Sequence, residues 1–292
     1  MLRTNRLSAA LAAFLLVVFA AAAARADLRI DITRGTVQPM PIAVVDFYGQ
    51  QPNDAQSGTN IVGVVSADLE RSGLFKPIDK KAFIQTPDSL RTMPRFSDWR
   101  VINAQALVSG TVQTQPDGRL RVEFRLWDVF AEQQMIGEAV TSTQENWRAI
   151  AHKVADEIYK RITGEDGYFE TRIVYVAESG SLAKRIKRLS IMDQDGENNR
   201  YLTDGSNLVL TPRFSPSTQD ITYLSYRNNR PRVYLLNIET GQQEVLGDFP
   251  GMTFAPRFSP DGTKVVMSLA VNGNSDIYEM EDRKSTRLNS SH

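Results

Sequence analysis

The chain has 292 residues, of which 41% are hydrophobic, and this length can hold more than one globular domain. The absence of cysteine excludes disulfide bonds and thiolate chemistry. Basic and acidic residues number 34 each, so the formal charge of the whole chain is balanced.

The first 26 residues have the three parts of a secretory signal. Arg3 and Arg6 supply the positive charge, an apolar run covers residues 9–24, and Ala24-Arg25-Ala26 matches a cleavage site before Asp27. A membrane anchor is the alternative, but a spanning helix needs about 20 apolar residues and this run is shorter. We therefore expect export, with cleavage between Ala26 and Asp27.

Residues 27–164 are predicted to form a mixed α/β domain. Alternating apolar and polar residues over 28–33 predict a half-buried strand, and the continuous apolar run at 42–47 predicts a central strand. A helix should follow, with Ile61, Val65 and Leu69 on its buried face and Gly73 as its end.

The second half of this domain contains a predicted hairpin and a second helix. A turn at 116–118 joins strands at 106–112 and 120–126. Ser142 and Glu145 have the spacing of a capping box, which predicts a helix from there to Gly164. The inward residues of this helix are predicted to be Trp147, Ile150, Ala151, Val154, Ile158 and Ile162. Residues 164–167 are predicted to be a linker.

A sequence repeat marks the rest of the chain. TPRFSP at 211–216 returns as APRFSP at 255–260, an offset of 44 residues, which is the length of one four-stranded propeller blade. The matching runs at 221–225 and 265–269 extend this similarity, and a fainter copy begins at Ile173. An antiparallel sandwich with two similar turns is the alternative, but it does not require a fixed spacing. We expect the turn at 259–262 to be tighter than the one at 215–218, and Phe258 to lie between blades.

The last eleven residues, 282–292, resemble the in-frame translation of a sequencing adapter, and we expect them to be artefactual. Without this tail and the leader, 28 basic and 33 acidic residues remain, a net charge of about −5. Such a chain has no basic stripe for phosphate groups, so no nucleic-acid partner is expected.

Few residues indicate catalysis. His152 and His292 are the two histidines, and His152 is predicted to be a solvated surface residue off the apolar face of its helix. The chain has no G-x-S-x-G motif. Gly58 and Gly63 have P-loop spacing, but Val64-Val65 replaces the lysine and hydroxyl residue, so this glycine pair indicates a helix start. We expect no enzymatic activity and no catalytic residue.

The stretch at 193–198 begins like a calcium loop, with Asp193, Asp195 and Gly196. The later ligands of such a loop are missing, so a turn between strands is favoured over a metal site. We expect no metal, no cofactor and no small-molecule substrate.

The order of these parts, together with long specific runs, resembles the TolB family of periplasmic propeller proteins in the Tol-Pal system. The runs are PIAVVDF at 41–47, IVGVVSADLERSGLF at 61–75 and TRIVYV at 171–176, and the resemblance covers residues 27–281. It implies an α/β N-terminal domain with a mixed sheet and two helices, followed by an incomplete TolB-type six-bladed β-propeller. The domains would be a signal peptide at 1–26, the α/β domain at 27–164, the first blades at 165–281 and the tail at 282–292. The family has about six blades, whereas this sequence stops resembling it in the third repeat.

The resemblance implies a periplasmic binding protein that reaches membranes only through its partners. The family binds TolA through its mature N-terminus, and the lipoprotein Pal through its propeller face, in support of cell division and outer-membrane integrity. Pal-binding residues would lie mostly in the missing blades. The TolA-binding residues would be Asp27, Leu28, Arg29, Ile30, Asp31, Ile32 and Thr33.

The competing interpretation is the N-terminal part of an exported serine peptidase that contains a propeller. It would require a G-x-S-x-G domain after the propeller. A carbohydrate- or ligand-binding propeller has no specific support in the sequence.

Overall fold

The computed structural model describes residues 28–30, 38–227, 229–246, 252–280 and 289–290. The chain divides at the Glu170–Thr171 junction into two compact units. The expected leader at 1–26, with the cleavage residue Ala26, and four residues of the expected TolA segment (Asp27, Asp31, Ile32 and Thr33) lie outside the described residues.

The first unit is a mixed sheet with helices. Its strands are β1 (Met40–Val44), β2 (Tyr48–Gly49), β3 (Phe75–Pro77), β4 (Ala106–Thr114), β5 (Leu120–Asp128) and β6 (Gln133–Ser142). Its helices are α1 (Pro52–Arg71), α2 (Phe96–Val101) and α3 (Trp147–Thr163). The strand order is β3-β1-β4-β5-β6, and β2 pairs with β4. Strand β1 is parallel to β3 and β4, while β4, β5 and β6 are antiparallel.

Strand β1 is central, as the apolar run predicted, because both of its faces are covered. Ile42 and Val44 face the core that contains α1 and α3, and Ala43 faces a second cluster around Trp99 of α2. A strand buried on both sides cannot alternate apolar and polar residues, which explains the continuous run.

Helices α1 and α3 bury their apolar faces in the same core. The predicted residues Ile61, Val65 and Leu69 of α1 are fully buried there. Gly58 lies inside α1, where a Cβ would stand 2.2 Å from the carbonyl oxygen of Phe47. The expectation of a helix start at this glycine is therefore wrong; it is needed for the close approach of helix and strand.

Two local predictions for this unit are corrected by the structure. Ser142 is the last residue of β6, and α3 begins at Trp147 after Asn146 without a side-chain cap, so the capping box is wrong. Residues 28–30 form no strand. Strand β6 and helix α2 were not predicted, whereas the hairpin of β4 and β5 and the end of α3 at Gly164 are confirmed.

The second unit consists of three antiparallel sheets. Their strands are β7 (Arg172–Ser179), β8 (Ile186–Asp193), β9 (Arg200–Tyr201), β10 (Val209–Phe214), β11 (Asp220–Arg227), β12 (Arg230–Asn237), β13 (Gln243–Val245), β14 (Met252–Phe258), β15 (Val265–Val271), β16 (Asn274–Met280) and β17 (Asn289–Ser290). The sheets are β7-β8-β9, β10-β11-β12-β13 and β14-β15-β16-β17, and the last of these strands lies within the expected tail.

The second and third sheets are copies of one another. The register shifts between Leu210 and Arg213 in one sheet and between Phe254 and Arg257 in the other, 44 residues on. The same irregularity at the same spacing confirms the predicted blade repeat.

The turn after each β-bulge strand begins with Ser-Pro. Gly262, with φ of 73°, donates its N–H to the carbonyl of Ser259 at 2.9 Å, which closes the predicted turn. The Ser259 hydroxyl donates to Asp261, and this bond holds the pKa of the Asp261 carboxyl down at about 2. Phe258 packs on a cluster shared by the two sheets, with Val233 from one and Val265 from the other, as predicted.

Strand β7 is an edge strand and the basis of a first prediction. Among the described strands it pairs with β8 alone, and Ile173 on it is 41% exposed. An open edge with an apolar side chain pairs readily with other chains. We expect Ile173→Lys to reduce self-association of the chain, measured by light scattering as protein concentration rises.

The matched control is Ile277→Lys, because Ile277 is 58% exposed on β16, which has β15 and β17 as partners on its two sides. Equal effects of the two substitutions would contradict the edge explanation.

Limited proteolysis provides a separate test, because we expect the first unit to resist cleavage longer than residues from 173 onward.

Candidate functional site

The described part of the N-terminal segment lies against α3. The N–H of Ile30 donates to the carbonyl of Ile162 at 3.0 Å. Ile30 is 6% exposed, and Leu28 is half-buried on the same core. Arg29, between them, is exposed. The segment thus shows the alternation that the sequence predicted, but it rests on the end of a helix instead of pairing in the sheet.

Gly164 makes room for this segment. It ends α3 with φ of 84°, and its N–H donates to the carbonyl of Lys160 at 2.8 Å. A Cβ at this position would stand 2.6 Å from Nη2 of Arg29, a flexible side-chain end that can shift, so it is the positive φ that calls for glycine here. The guanidinium lies where the negative end of the helix dipole favours a cation.

Asp156 of α3 holds the end of the first unit. Its carboxylate accepts the N–H of Phe169 at 2.7 Å and that of Glu170 at 3.1 Å. Burial raises the pKa of the Asp156 carboxyl, and these two hydrogen bonds oppose the rise only in part. Because Gly167 has no side chain, the chain can pass close to this carboxylate, where a Cβ would stand 2.2 Å from Oδ1.

Aromatic side chains surround the same half of α3. The ring of Tyr159 lies 5.7 Å from those of Tyr168 and Phe169 and 6.4 Å from that of Phe75. Phe169 is fully buried. The C-terminal half of α3 therefore binds both the beginning and the end of the first unit. Ile162 receives the beginning, and Tyr159 holds the end through edge-to-face contacts with Tyr168 and Phe169.

The N-terminal segment is held weakly compared with the elements around it. Its described contacts are one hydrogen bond from Ile30 and the burial of two side chains, Leu28 and Ile30. Segments with few buried contacts open at low free-energy cost. A released chain end with this alternation can add as a strand to the sheet edge of a partner.

His152 differs from its prediction. It is 2% exposed, in the interface of α1 and α3, and its Nδ1 lies 2.6 Å from Oδ2 of Asp68, which is fully buried. The other oxygen of Asp68 accepts from Nη1 of Arg71 at 2.8 Å. The expectation of a solvated surface histidine is wrong, because a buried carboxylate on the facing helix supplies its partner.

A signal for this pair was present in the sequence. Asp68 lies seven residues after Ile61, on the apolar face of α1, and His152 lies among apolar residues of α3. Two polar residues on the facing apolar surfaces of two helices are expected to hydrogen-bond to each other across the interface. The depth of the pair gives it a structural role in joining the two helices.

The calcium-like stretch forms the turn that was favoured. Gly196, with φ of 92°, donates its N–H to the carbonyl of Asp193 at 3.0 Å. The carboxylate of Asp193 accepts from the amide of Asn198, and that of Asp195 accepts from the N–H of Glu197. These carboxylates bond within the turn itself.

No helix among the described residues is long and apolar enough to cross a lipid bilayer.

Two family models match the chain. Residues 28–135 match the TolB amino-terminal domain, and residues 159–292 match the TolB beta propeller domain. The order of the two matches is that of the two units.

Similar proteins agree with these models. The chain is 62% identical over 247 residues to the Tol-Pal system protein TolB of Paramagnetospirillum magneticum, an alignment that covers 84% of this chain and 55% of that protein. The crystal structure of TolB from Acinetobacter baumannii is 30% identical, with a TM-score of 0.73, over 87% of this chain and 60% of that one. The chain thus spans a little over half the length of these relatives.

The buried pair yields a prediction about stability. Asp68→Asn removes the charge that faces His152 and Arg71, and we expect it to lower the free energy of unfolding of the first unit by about 2–5 kcal/mol. All three tryptophans lie in this unit, so urea denaturation followed by tryptophan fluorescence measures it. Asp88→Asn is the control, since the Asp88 side chain is 68% exposed. A loss below about 0.5 kcal/mol for Asp68→Asn would show that the pair adds nothing.

The raised pKa of Asp156 yields a prediction about pH. The folded state binds this proton more tightly than the unfolded chain, where the pKa is 3.8. The stabilisation that protonated Asp156 gives the folded state is therefore fully present below pH 3.8. It is lost as the pH rises through the pKa of Asp156 in the folded protein. Relative to Asp156→Asn, the unmodified protein should gain stability as pH falls from 7 towards 4, measured by urea denaturation.

Asp166→Asn is the matched control with the opposite sign. Lys160 lowers the pKa of the Asp166 carboxyl through a hydrogen bond, so the stability from this group is present at neutral pH and is lost as pH falls below 3.8. Parallel pH profiles for the unmodified protein and Asp156→Asn would contradict the assignment of the shift to Asp156.

Proposed function

Because the chain belongs by both of its domains to the TolB family, we propose that it is a non-enzymatic periplasmic component of the Tol-Pal system that bridges TolA and the lipoprotein Pal. In this role it supports outer-membrane invagination during cell division and the integrity of that membrane. The observation that carries the proposal is the docking of residues 28–30 on α3 through one backbone hydrogen bond and the side chains of Leu28 and Ile30, a small set of contacts that a partner can replace.

We propose that the TolA-binding segment is residues 27–33, freed by cleavage after Ala26. Leu28 and Ile30 are the side chains that the core of the first unit now buries. The same side chains would supply the apolar edge of an added strand, and they cannot be buried in two places at once. Docking on α3 and binding of TolA therefore compete, so a partner that changes the docked population changes access to TolA.

We propose the division of the chain into a leader at 1–26, the α/β domain at 27–164, propeller blades at 165–281 and an artefactual tail at 282–292. Two features support the boundary after Gly164: α3 ends there, and the two compact units separate a few residues later. Pal would bind the propeller face, for which no residues are assigned.

The proposed TolA segment is tested by deletion. We expect mature protein without residues 27–33 to lose TolA binding in calorimetry, because the backbone and the apolar edge of the added strand are gone. Circular dichroism checks that the shortened protein is folded. Undiminished affinity in the folded variant would show that TolA binds elsewhere.

Point variants separate the apolar edge from the charge. The double variant Leu28→Ser/Ile30→Ser should weaken TolA binding by about tenfold or more, since it removes most of the buried apolar surface of the segment. Arg29→Gln is the matched control, because Arg29 is exposed between those two residues. A larger loss with Arg29→Gln would mean that charge, rather than strand addition, carries the interaction.

A further inference from the structure

Two arginines occupy the same position in successive blades. Arg213 on β10 and Arg257 on β14 each follow the proline of the repeated Pro-Arg-Phe-Ser-Pro sequence. Strands β10 and β14 are the first strands of their sheets, and they contact each other. The first strands of propeller blades surround the central channel. Both arginines are exposed, whereas Pro212 before the one and Pro256 before the other are buried.

The backbone fixes the direction of these side chains. The register shift between Leu210 and Arg213 places a bulge directly before the arginine, and Thr211 in it has φ of 47°, unusual for a β-branched residue. Proline has no N–H for the ladder, which suits a bulge. The phenylalanine after each arginine is half-buried on a cluster between sheets, as Phe214 shows. Bulges of this kind re-aim single side chains.

The charges of both arginines are left without an acidic partner in the described part of the chain. Nη1 of Arg213 donates to the carbonyl of Pro212 at 2.9 Å, and Nη1 of Arg257 donates to that of Pro256 at 3.0 Å. These acceptors are neutral. By contrast, Arg185 bonds to the carboxylate of Glu178 at 2.9 Å.

We infer that Arg213 and Arg257 form part of a docking surface for an acidic peptide segment of a partner protein. Each guanidinium is held by one bond to its own strand, and its remaining N–H groups form the fork that matches a carboxylate. Strands β10 and β14 belong to neighbouring sheets and contact each other, so one acidic peptide could offer a carboxylate to each of the two forks. The inference deepens the proposed binding at the propeller face, since it names the chemistry of the partner.

The test uses fluorescein-labelled hexaglutamate and the mature chain, with binding followed by fluorescence anisotropy. We expect Arg213→Gln/Arg257→Gln to weaken binding by about tenfold or more, because both charge-assisted contacts are lost. The double Arg→Lys variant should fall between it and the unmodified chain, since it keeps the charge and loses the fork. Binding should weaken as salt is added.

The matched control is Lys184→Gln/Arg185→Gln, which removes the same charge from the segment between β7 and β8. It should change affinity less than about twofold, as rim charges do. Equal losses in both double variants, or no binding by the unmodified chain, would overturn the inference. So would phosphate that competes as well as hexaglutamate at equal charge, because that result indicates a simple oxyanion site.

Two further readouts keep the outcome interpretable. Circular dichroism checks the fold, and if the double variant unfolds, the single variants Arg213→Gln and Arg257→Gln each decide the question by a loss of about threefold. The arginine variants should leave TolA binding unchanged, and deletion of residues 27–33 should leave hexaglutamate binding unchanged. Failure of one proposal is thereby distinguished from failure of the other.

Discussion

The packing of α3 against α1 is the interaction on which the first unit depends. The apolar face of α3 closes the core over the sheet, with Ile150, Val154 and Ile158 fully buried. Its last turns then receive the two ends of the unit, through Ile162 on one side and Asp156 on the other. A change that shortened this helix would release both ends together, because neither has comparable contacts elsewhere in its described part.

Local patterns predicted much of this architecture. The central strand, the face of α1 and the turn at 259–262 each depend on residues close in sequence. Strand β6 was not predicted because every residue in it is partly or fully exposed, and α2 because it has only six residues. The partner of His152 lies 84 residues away, so the apolar pattern of α3 could indicate that the histidine is buried but could not identify Asp68 as its partner. The capping box failed since the sheet continues through Ser142 and overrides the local preference.

The sequence predicts the binding site less well, because it does not show which surface the N-terminal segment occupies before it binds a partner. The alternation of Leu28 and Ile30 correctly indicated which side chains are buried, but not that a helix end would receive them. The repeated pentapeptide marks the blades, and its proline and phenylalanine have that structural use. The arginine, by contrast, is exposed and has no acidic partner among the described residues. Residues of this kind are expected where a binding surface is built on a structural framework.

The bond between neighbouring blades has a consequence for the order of folding. The N–H of Val233 in the second blade donates to the Thr253 hydroxyl on the first strand of the third, and both residues are buried. A chain that emerges from its N-terminus therefore cannot satisfy the second blade until residue 253 has appeared. The second blade is therefore completed only when the third begins to form, and until then its surface around Val233 stays incomplete.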